Sequence, residues 1–283
     1  MRRVGAEAAR AGRSCALLDV RGEAAFAAGH LDGSGHLPRA ELRERRAELP
    51  PRDQLVLALA DDPLEAAAAA AELDAMGYGA VEWLDVPLAS LPGGHAGQAP
   101  AVRLWRPARF LEQVLPRLRD VGAGAGLAAD LAAGSGREAV FLALDGFEVE
   151  AWDRAPEALE RALALARRNR VKIRPVIADL ERPDPGLGTE RYHLVTVFRF
   201  LFRPLFPALA RALAPGGVLV YETYRMGQER FGRPKSRRFL LGPGELAGAF
   251  PTLRTLEYEE PGPAEGPYTA RLLAVKPGPG VPP

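Results

Sequence analysis

The feature that most constrains this chain is a regular alternation of short apolar runs with amphipathic helical stretches, sustained from about residue 103 to residue 276. GLAADLA (126–132), FEVEAWD, VKIRPVIADL, YHLVTVFRF and GGVLVYETY read as strands. REAVFLALDG, APEALERALALARRN (155–169) and PLFPALARAL read as the helices between them, with Pro156 in the first turn of the second. RPARFLEQVLPRL (106–118) supplies a helix ahead of the first strand, and RTLEYEE with YTARLLAVKP a closing antiparallel pair. Strands alternating with helices predict a doubly wound α/β sheet, here of seven strands.

A smaller unit of the same class precedes it. SCALLDV, QLVLALA (54–60) and AVEWLDV (80–86) read as buried strands, and PLEAAAAAAELDAMGYG (63–79) as a helix that ends at Gly77. LPGGHAGQAPAV has no periodicity and is rich in Gly and Pro. The expected division is therefore 1–94 for the first domain, 95–102 for a linker, 103–277 for the second domain and 278–283 for a disordered tail. Charge follows the same division. Residues 1–95 carry 10 basic and 15 acidic side chains, and the remainder 27 and 21.

No apolar run is long enough for a transmembrane helix, and Glu7, Arg10 and Arg13 interrupt any signal-peptide core, so a cytoplasmic protein is expected. A single cysteine, Cys15, excludes an intrachain disulfide and a cysteine-built zinc site. His30, His36, His95 and His193 never fall at metal-ligand spacing, so no metal site is expected.

The strongest chemical signal is Asp130-Leu-Ala-Ala-Gly134-Ser-Gly136-Arg-Glu-Ala between a strand and a helix. Glycines there let the backbone turn sharply and approach a ligand, beside the free N–H groups of the helix start. Asp153 ends the next strand, 17 residues after Gly136, where a carboxylate can accept from ribose hydroxyls. Asp179 ends the third. The residues alone leave a dinucleotide and a sulfonium nucleoside open, since Gly134, Gly136 and Ala139 also satisfy G-x-G-x-x-A.

DLAAGSGREAVFLA, VEAWDRAPEALERA, IADLE and the PGG turn running into VLVYETY resemble the class I S-adenosylmethionine-dependent methyltransferases, most nearly the tellurite-resistance and thiopurine methyltransferase branch. The resemblance covers about Arg103–Pro277. One departure is Ala132, where the usual pattern has its first glycine. The resemblance implies that Asp130, Ala132, Gly134 and Gly136 line the methionine portion of S-adenosylmethionine. It also implies that Asp153 and Arg154 meet the ribose, Asp179 and Leu180 the adenine, and Phe198 the space near the methyl group. No strong general base is evident. Arg199, Tyr221, Glu222 and Tyr224, at or past strand ends, are the groups placed to meet an acceptor, with Arg199, Tyr221 and Tyr224 the catalytic candidates. Tyr221 and Tyr224 are equally well read as packing residues. The basic stretch RMGQERFGRPKSRR (225–238) reads as a loop, either solvated surface or a rim that draws an anionic small molecule. Near-neutral overall charge and sparse aromatics argue against nucleic acid. The sequence leaves homo-oligomerisation open.

LLDVRGEAAFAAGHLDGSGHLP (17–38) resembles the opening of rhodanese-like domains, with Asp19, Arg21, Phe26, Gly29, His30, Gly33 and Ser34 at matching spacing. An active rhodanese holds a nucleophilic cysteine after the strand corresponding to QLVLALA. The position here is Ala60, and Asp61, Asp62 and Glu65 follow it. Three acids disfavour an anionic sulfur species, so no sulfurtransferase activity is expected. Two further readings stand beside the methyltransferase: a non-catalytic S-adenosylmethionine-binding or regulatory protein, and a nicotinamide-dependent oxidoreductase, which lacks an evident hydride-transfer constellation.

Overall fold

The computed structural model describes residues 1–5, 7, 14–119, 124–182, 184–262 and 267–278. Most of the tail expected to be disordered, 279–283, lies outside them. The chain divides into two compact units, Met1–Arg106 and Pro107–Pro283. Among the described residues no helix is long and apolar enough to cross a membrane.

In the first unit, strands β1 (Arg2–Val4), β2 (Cys15–Asp19), β3 (Gly35–His36), β4 (Leu55–Leu59) and β5 (Val81–Leu84) form one sheet in the order β1-β5-β4-β2-β3, every pair parallel. Helix α1 (Glu23–Ala28) follows β2, and α2 (Pro63–Ala75) connects β4 to β5. Alternation along β4 sends Val56 and Ala58 to the core beneath α2 and Leu57 and Leu59 to the opposite cluster with Val4 and Leu84. Helix α2 begins at Pro63, with Asp62 accepting from the Leu64 N–H at 2.9 Å, and its chain reverses at Gly77, φ +88°. Strand β1 is absent from the sequence reading because three residues are too few to show periodicity. The segment read as a linker is bonded to this unit: His30 and Gly97 form a β-bridge, and the Val102 N–H donates to the Ser34 carbonyl at 3.0 Å.

In the second unit, α3 (Arg109–Leu118) precedes β6 (Leu127–Leu131). Then follow α4 (Arg137–Leu144), β7 (Glu148–Asp153), α5 (Pro156–Arg168), β8 (Arg174–Ile177), β9 (Tyr192–Phe198), α6 (Phe206–Ala212), β10 (Leu213–Tyr224), α7 (Glu245–Gly248), β11 (Arg254–Glu259) and β12 (Thr269–Val275). The seven strands lie in the order β11-β12-β10-β9-β6-β7-β8. β12 runs antiparallel to both of its neighbours, β11 and β10, and the other pairs are parallel. Strand β8 is shorter than the ten-residue run that suggested it. It is the sheet edge, the place where a proline such as Pro175 is tolerated.

Helices cover both faces. Alternate residues of β6, β9 and β10 point to two cores: Ala128, Leu194, Val218 and Val220 toward α3, α4 and α5; Ala129, Val195, Leu219 and Tyr221 toward α6 and α7. The strand order reverses at β6, whose neighbours β7 and β9 lead away on opposite sides. Such a switch point opens a crevice at the carboxyl ends of the strands.

Candidate active site

The period of two along each strand decides which polar groups meet. Asp130, Thr196, Glu222 and Arg271 share the face of Ala128, Leu194, Val220 and Leu273, and all four are buried. Asp130, 2% exposed, accepts from the Thr196 hydroxyl through Oδ1 at 2.9 Å. Its Oδ2 is buried without a partner. Burial, reinforced by the Glu138 carboxylate, pushes the Asp130 carboxyl well above the usual range against the opposing Thr196 hydroxyl and Ala139 N–H. An acid held this way gains from any cation that reaches it.

The loop after β6 is built on left-handed backbone. Ala132 has φ +58°, Gly134 φ +53° and Gly136 φ +77°. Ala132 thus adopts the conformation that glycine takes without strain, which makes it a strained residue at the crevice. The two glycines act differently. A β-carbon at Gly134 would meet nothing within 4 Å, so the space above it is open. One at Gly136 would lie 2.5 Å from Ala162 Cβ, so Gly136 lets α5 pack against the start of α4.

Asp153 fastens this loop. Its Oδ2 accepts from the Gly134 N–H and its Oδ1 from the Ala155 N–H, both at 2.9 Å. The Ala133 N–H donates to the Trp152 carbonyl and the Ala178 N–H to the Asp153 carbonyl, each at 3.0 Å. The structure therefore brings Asp130, Ala132, Gly134 and Asp153 to one crevice edge, with residues 178–180 alongside. Leu180 is buried and Asp179 exposed. Arg154 is turned to solvent, 3.8 Å from Glu181.

On the other side of β6, Phe198 is half-buried and Arg199 exposed. Arg199 also has positive φ, +56°, and its N–H donates to the Glu222 carbonyl at 2.8 Å. Burial raises the Glu222 carboxyl above its ordinary range, opposed by Arg271 and Arg199. Tyr224 is half-buried. Tyr221 is placed elsewhere: it is 1% exposed, donates its hydroxyl to the Phe200 carbonyl at 3.0 Å and packs on Phe206 and Phe250. Its position one residue before Glu222 sends it to the α6 core, so it is a packing residue. The basic loop reaches across this edge. Arg203 donates to the carbonyls of Arg238 and Leu240, and Arg238 pairs with Glu181 at 2.8 Å.

Thr196, Glu138 and Glu181 escaped the sequence reading. Thr196 carried a usable signal as the one small hydroxyl residue inside the apolar run YHLVTVF. Glu138 accepts from the Ala108 N–H at 3.0 Å, a contact that no local pattern announces.

In the first unit, the loop after β4 is closed by its own charges. Arg21, 3% exposed, donates to Asp19 through Nε at 3.0 Å and Nη2 at 2.7 Å, and to the Gly29 carbonyl at 2.9 Å. Its Nη1 reaches Asp61 Oδ2 at 3.1 Å, and His95 Nε2 reaches Asp61 Oδ1 at 2.7 Å. Burial would raise the Asp61 carboxyl, but His95 and Arg21 outweigh it and hold the group below its ordinary value. Ala60 is fully buried, and α2 starts only three residues later. Phe26 stacks between His30 and His36, with ring centroids 3.9 and 4.3 Å away. His30 Nδ1 lies 3.1 Å from the Phe26 carbonyl and His36 Nε2 2.9 Å from that of Arg21, so both are structural.

Residues 128–217 match a methyltransferase-domain family model, and residues 5–86 match a rhodanese-like domain model. No curated protein matches the chain. Among solved structures, a Galdieria sulphuraria protein described as a sarcosine dimethylglycine methyltransferase is similar in fold, with 17% identity and a TM-score of 0.50 over 60% of this chain and 86% of that one. TehB from Haemophilus influenzae gives 17% identity and 0.48, over 63% of each chain, so this protein spans less than two thirds of its length. The N-methyltransferase NodS from Bradyrhizobium japonicum WM9 gives 18% and 0.47, over 60% and 98%. This chain carries a rhodanese-like domain followed by a methyltransferase domain.

Proposed function

We propose that the C-terminal domain, acting in the cytoplasm, transfers a methyl group from S-adenosylmethionine to a small-molecule acceptor, and that the N-terminal domain performs no sulfur transfer. The observation that carries the first part is Asp130, a buried acid with an unpartnered oxygen at the switch point of the sheet. The ammonium group of an aminoacyl sulfonium nucleoside suits that oxygen, and the open space above Gly134 admits its backbone-facing atoms. Asp153 keeps lone pairs for ribose hydroxyls while it fixes the loop, and residues 179 and 180 flank the adenine. The bound cofactor supplies a carbon already activated toward displacement by its positive sulfur.

The remaining work belongs to the chain. Phe198 and the loop 225–238 keep water from the reacting atoms, and orientation provides much of the acceleration. Arg199 and Tyr224 face the acceptor. Arg199, exposed at a strained strand end, favours an acceptor with an anionic group. In the N-terminal domain, the Asp61 carboxylate takes the cationic partners that a persulfide would need. The functional division we assign is 1–94, with the segment 95–102 bonded to it, and 103–277.

Calorimetry with S-adenosylhomocysteine on the full chain, followed by transfer of labelled methyl groups to an extract of small metabolites, tests this reading. Saturable binding and a labelled small product are expected. Folded protein that releases no heat at millimolar ligand would end it. Binding without any labelled product would favour the non-catalytic regulatory alternative.

A further inference from the structure

A second recess lies in the same unit, away from the glycine loop. It is a cavity of about 460 Å³ between α3 and the β11–β12 pair, lined by Arg109, Gln113, Arg117, Glu257, Glu259 and Arg271. Helix α3 explains half of it. Phe110, Leu111, Val114, Leu115 and Leu118 are buried in the core, which leaves Arg109, Gln113 and Arg117, four residues apart, along one outward stripe.

The opposite wall is less ordinary. Arg271 is 8% exposed, and its guanidinium lies 5.9 Å from the Phe110 ring centroid. A buried guanidinium is normally fastened by charge-assisted hydrogen bonds of about 2.7–2.9 Å. Arg271 has none of that length to a carboxylate. It stands 3.6 Å from Glu222 and 3.9 Å from Glu259, and its buried Nε has no hydrogen-bond partner. Arg238–Glu181 at 2.8 Å and Arg211–Asp184 at 3.0 Å, both more exposed, close normally. Thr269, beside Arg271 on β12, also has a buried hydroxyl without a partner. Arg117 is held by Glu257 at one end of the recess. Of the two lining acids, Glu257 is therefore spent, and Glu259 is half-exposed and distant. A solvated helix stripe alone would not leave a buried, loosely held arginine facing it.

We propose that this recess is a ligand site for a small molecule bearing a carboxylate or phosphate group, gripped by Arg271 and Arg109 with the Gln113 amide as a neutral donor. The guanidinium fork of Arg271 matches either anion. The site shares no lining residue with the proposed cofactor cleft, so it stands whether or not that cleft binds a sulfonium nucleoside.

The test uses the full-length protein with inorganic phosphate and malonate as separate probes, titrated by calorimetry with and without saturating S-adenosylhomocysteine. We expect saturable binding of at least one probe in either condition, and the tighter one identifies the anion class. Arg271→Lys keeps the charge and loses the fork, and should weaken binding at least about fivefold. Arg109→Gln lies on the exposed helix surface, so its melting temperature should be unchanged while binding weakens about threefold. Glu259→Gln should tighten it. Absence of saturable binding by both probes would overturn the proposal. So would undiminished binding in both arginine variants, or displacement of the probe by S-adenosylhomocysteine.

Discussion

The loops after β4 and after β6 begin alike, each leaving a buried parallel strand and entering a helix, and they end in opposite electrostatic states. After β4 the chain fills its own site. Asp61 is gripped by Arg21 and His95, and Asp62 caps α2, so both aspartates of the loop have partners. After β6 the chain leaves its site open. Asp130 keeps one oxygen unpaired, Ala132 is held at positive φ, and nothing covers the position where a Gly134 side chain would stand. A saturated loop is a structural joint. An unsaturated, strained one stores interactions that a ligand can complete.

The largest effect should come from closing the open loop by force. Gly136→Val places a branched side chain against Ala162 at positive φ and should destabilise the second unit by about 3–5 kcal/mol, measured by urea unfolding. Next is Asp153→Ala, which removes the tie to Gly134 together with the ribose acceptor we propose. S-adenosylhomocysteine should bind about 10–100-fold more weakly by calorimetry, and unchanged affinity would remove Asp153 from the site.

Asp130→Asn separates stability from binding. The folded state holds this carboxyl above its unfolded value, so stability is lost as pH rises from the ordinary carboxylate range through the raised value. The neutral side chain avoids that loss. The ligand-free variant should melt about 3 °C higher than the wild type at pH 7, a gap that closes in acid, and should bind cofactor more weakly. In the wild type a cationic ligand lowers the raised value, so binding should release a proton and tighten with pH. Calorimetry in buffers of different ionisation enthalpy reads that release.

Ala132→Gly relieves the left-handed strain against a more flexible unfolded chain, for a net gain of about 0.5–1 kcal/mol in unfolding free energy, measured by urea denaturation. Ala60→Cys should change nothing measurable with thiosulfate as sulfur donor. The new residue is buried beside Asp61 and Asp62, and sulfur transfer by it would break the contrast between the two loops.

Much of the architecture was legible because apolar periodicity reports burial directly. The strands from QLVLALA to GGVLVYETY and the helices between them lie where their patterns put them. Strand β1 was too short to read, and VKIRPVIADL was too generously read because an edge strand pairs only on one side. Segment 95–102 looked like a linker because Gly and Pro erase periodicity. Its His95 and Gly97 are bonded into the first unit by contacts with residues more than 30 positions away.

Local pattern determined the two α/β units, the glycine turn at a strand-to-helix junction and the acids at strand ends, since all of these follow from the order of residues along one element. Tertiary structure alone decided what those acids do. Asp130 is unsaturated because β9 offers it a single hydroxyl, Asp61 is saturated because Arg21 and His95 converge on it, and Tyr221 and Glu222 part company because adjacent residues of a strand face opposite layers. Partners that meet across a sheet are set by packing, and packing is invisible to any window of sequence that holds only one of them.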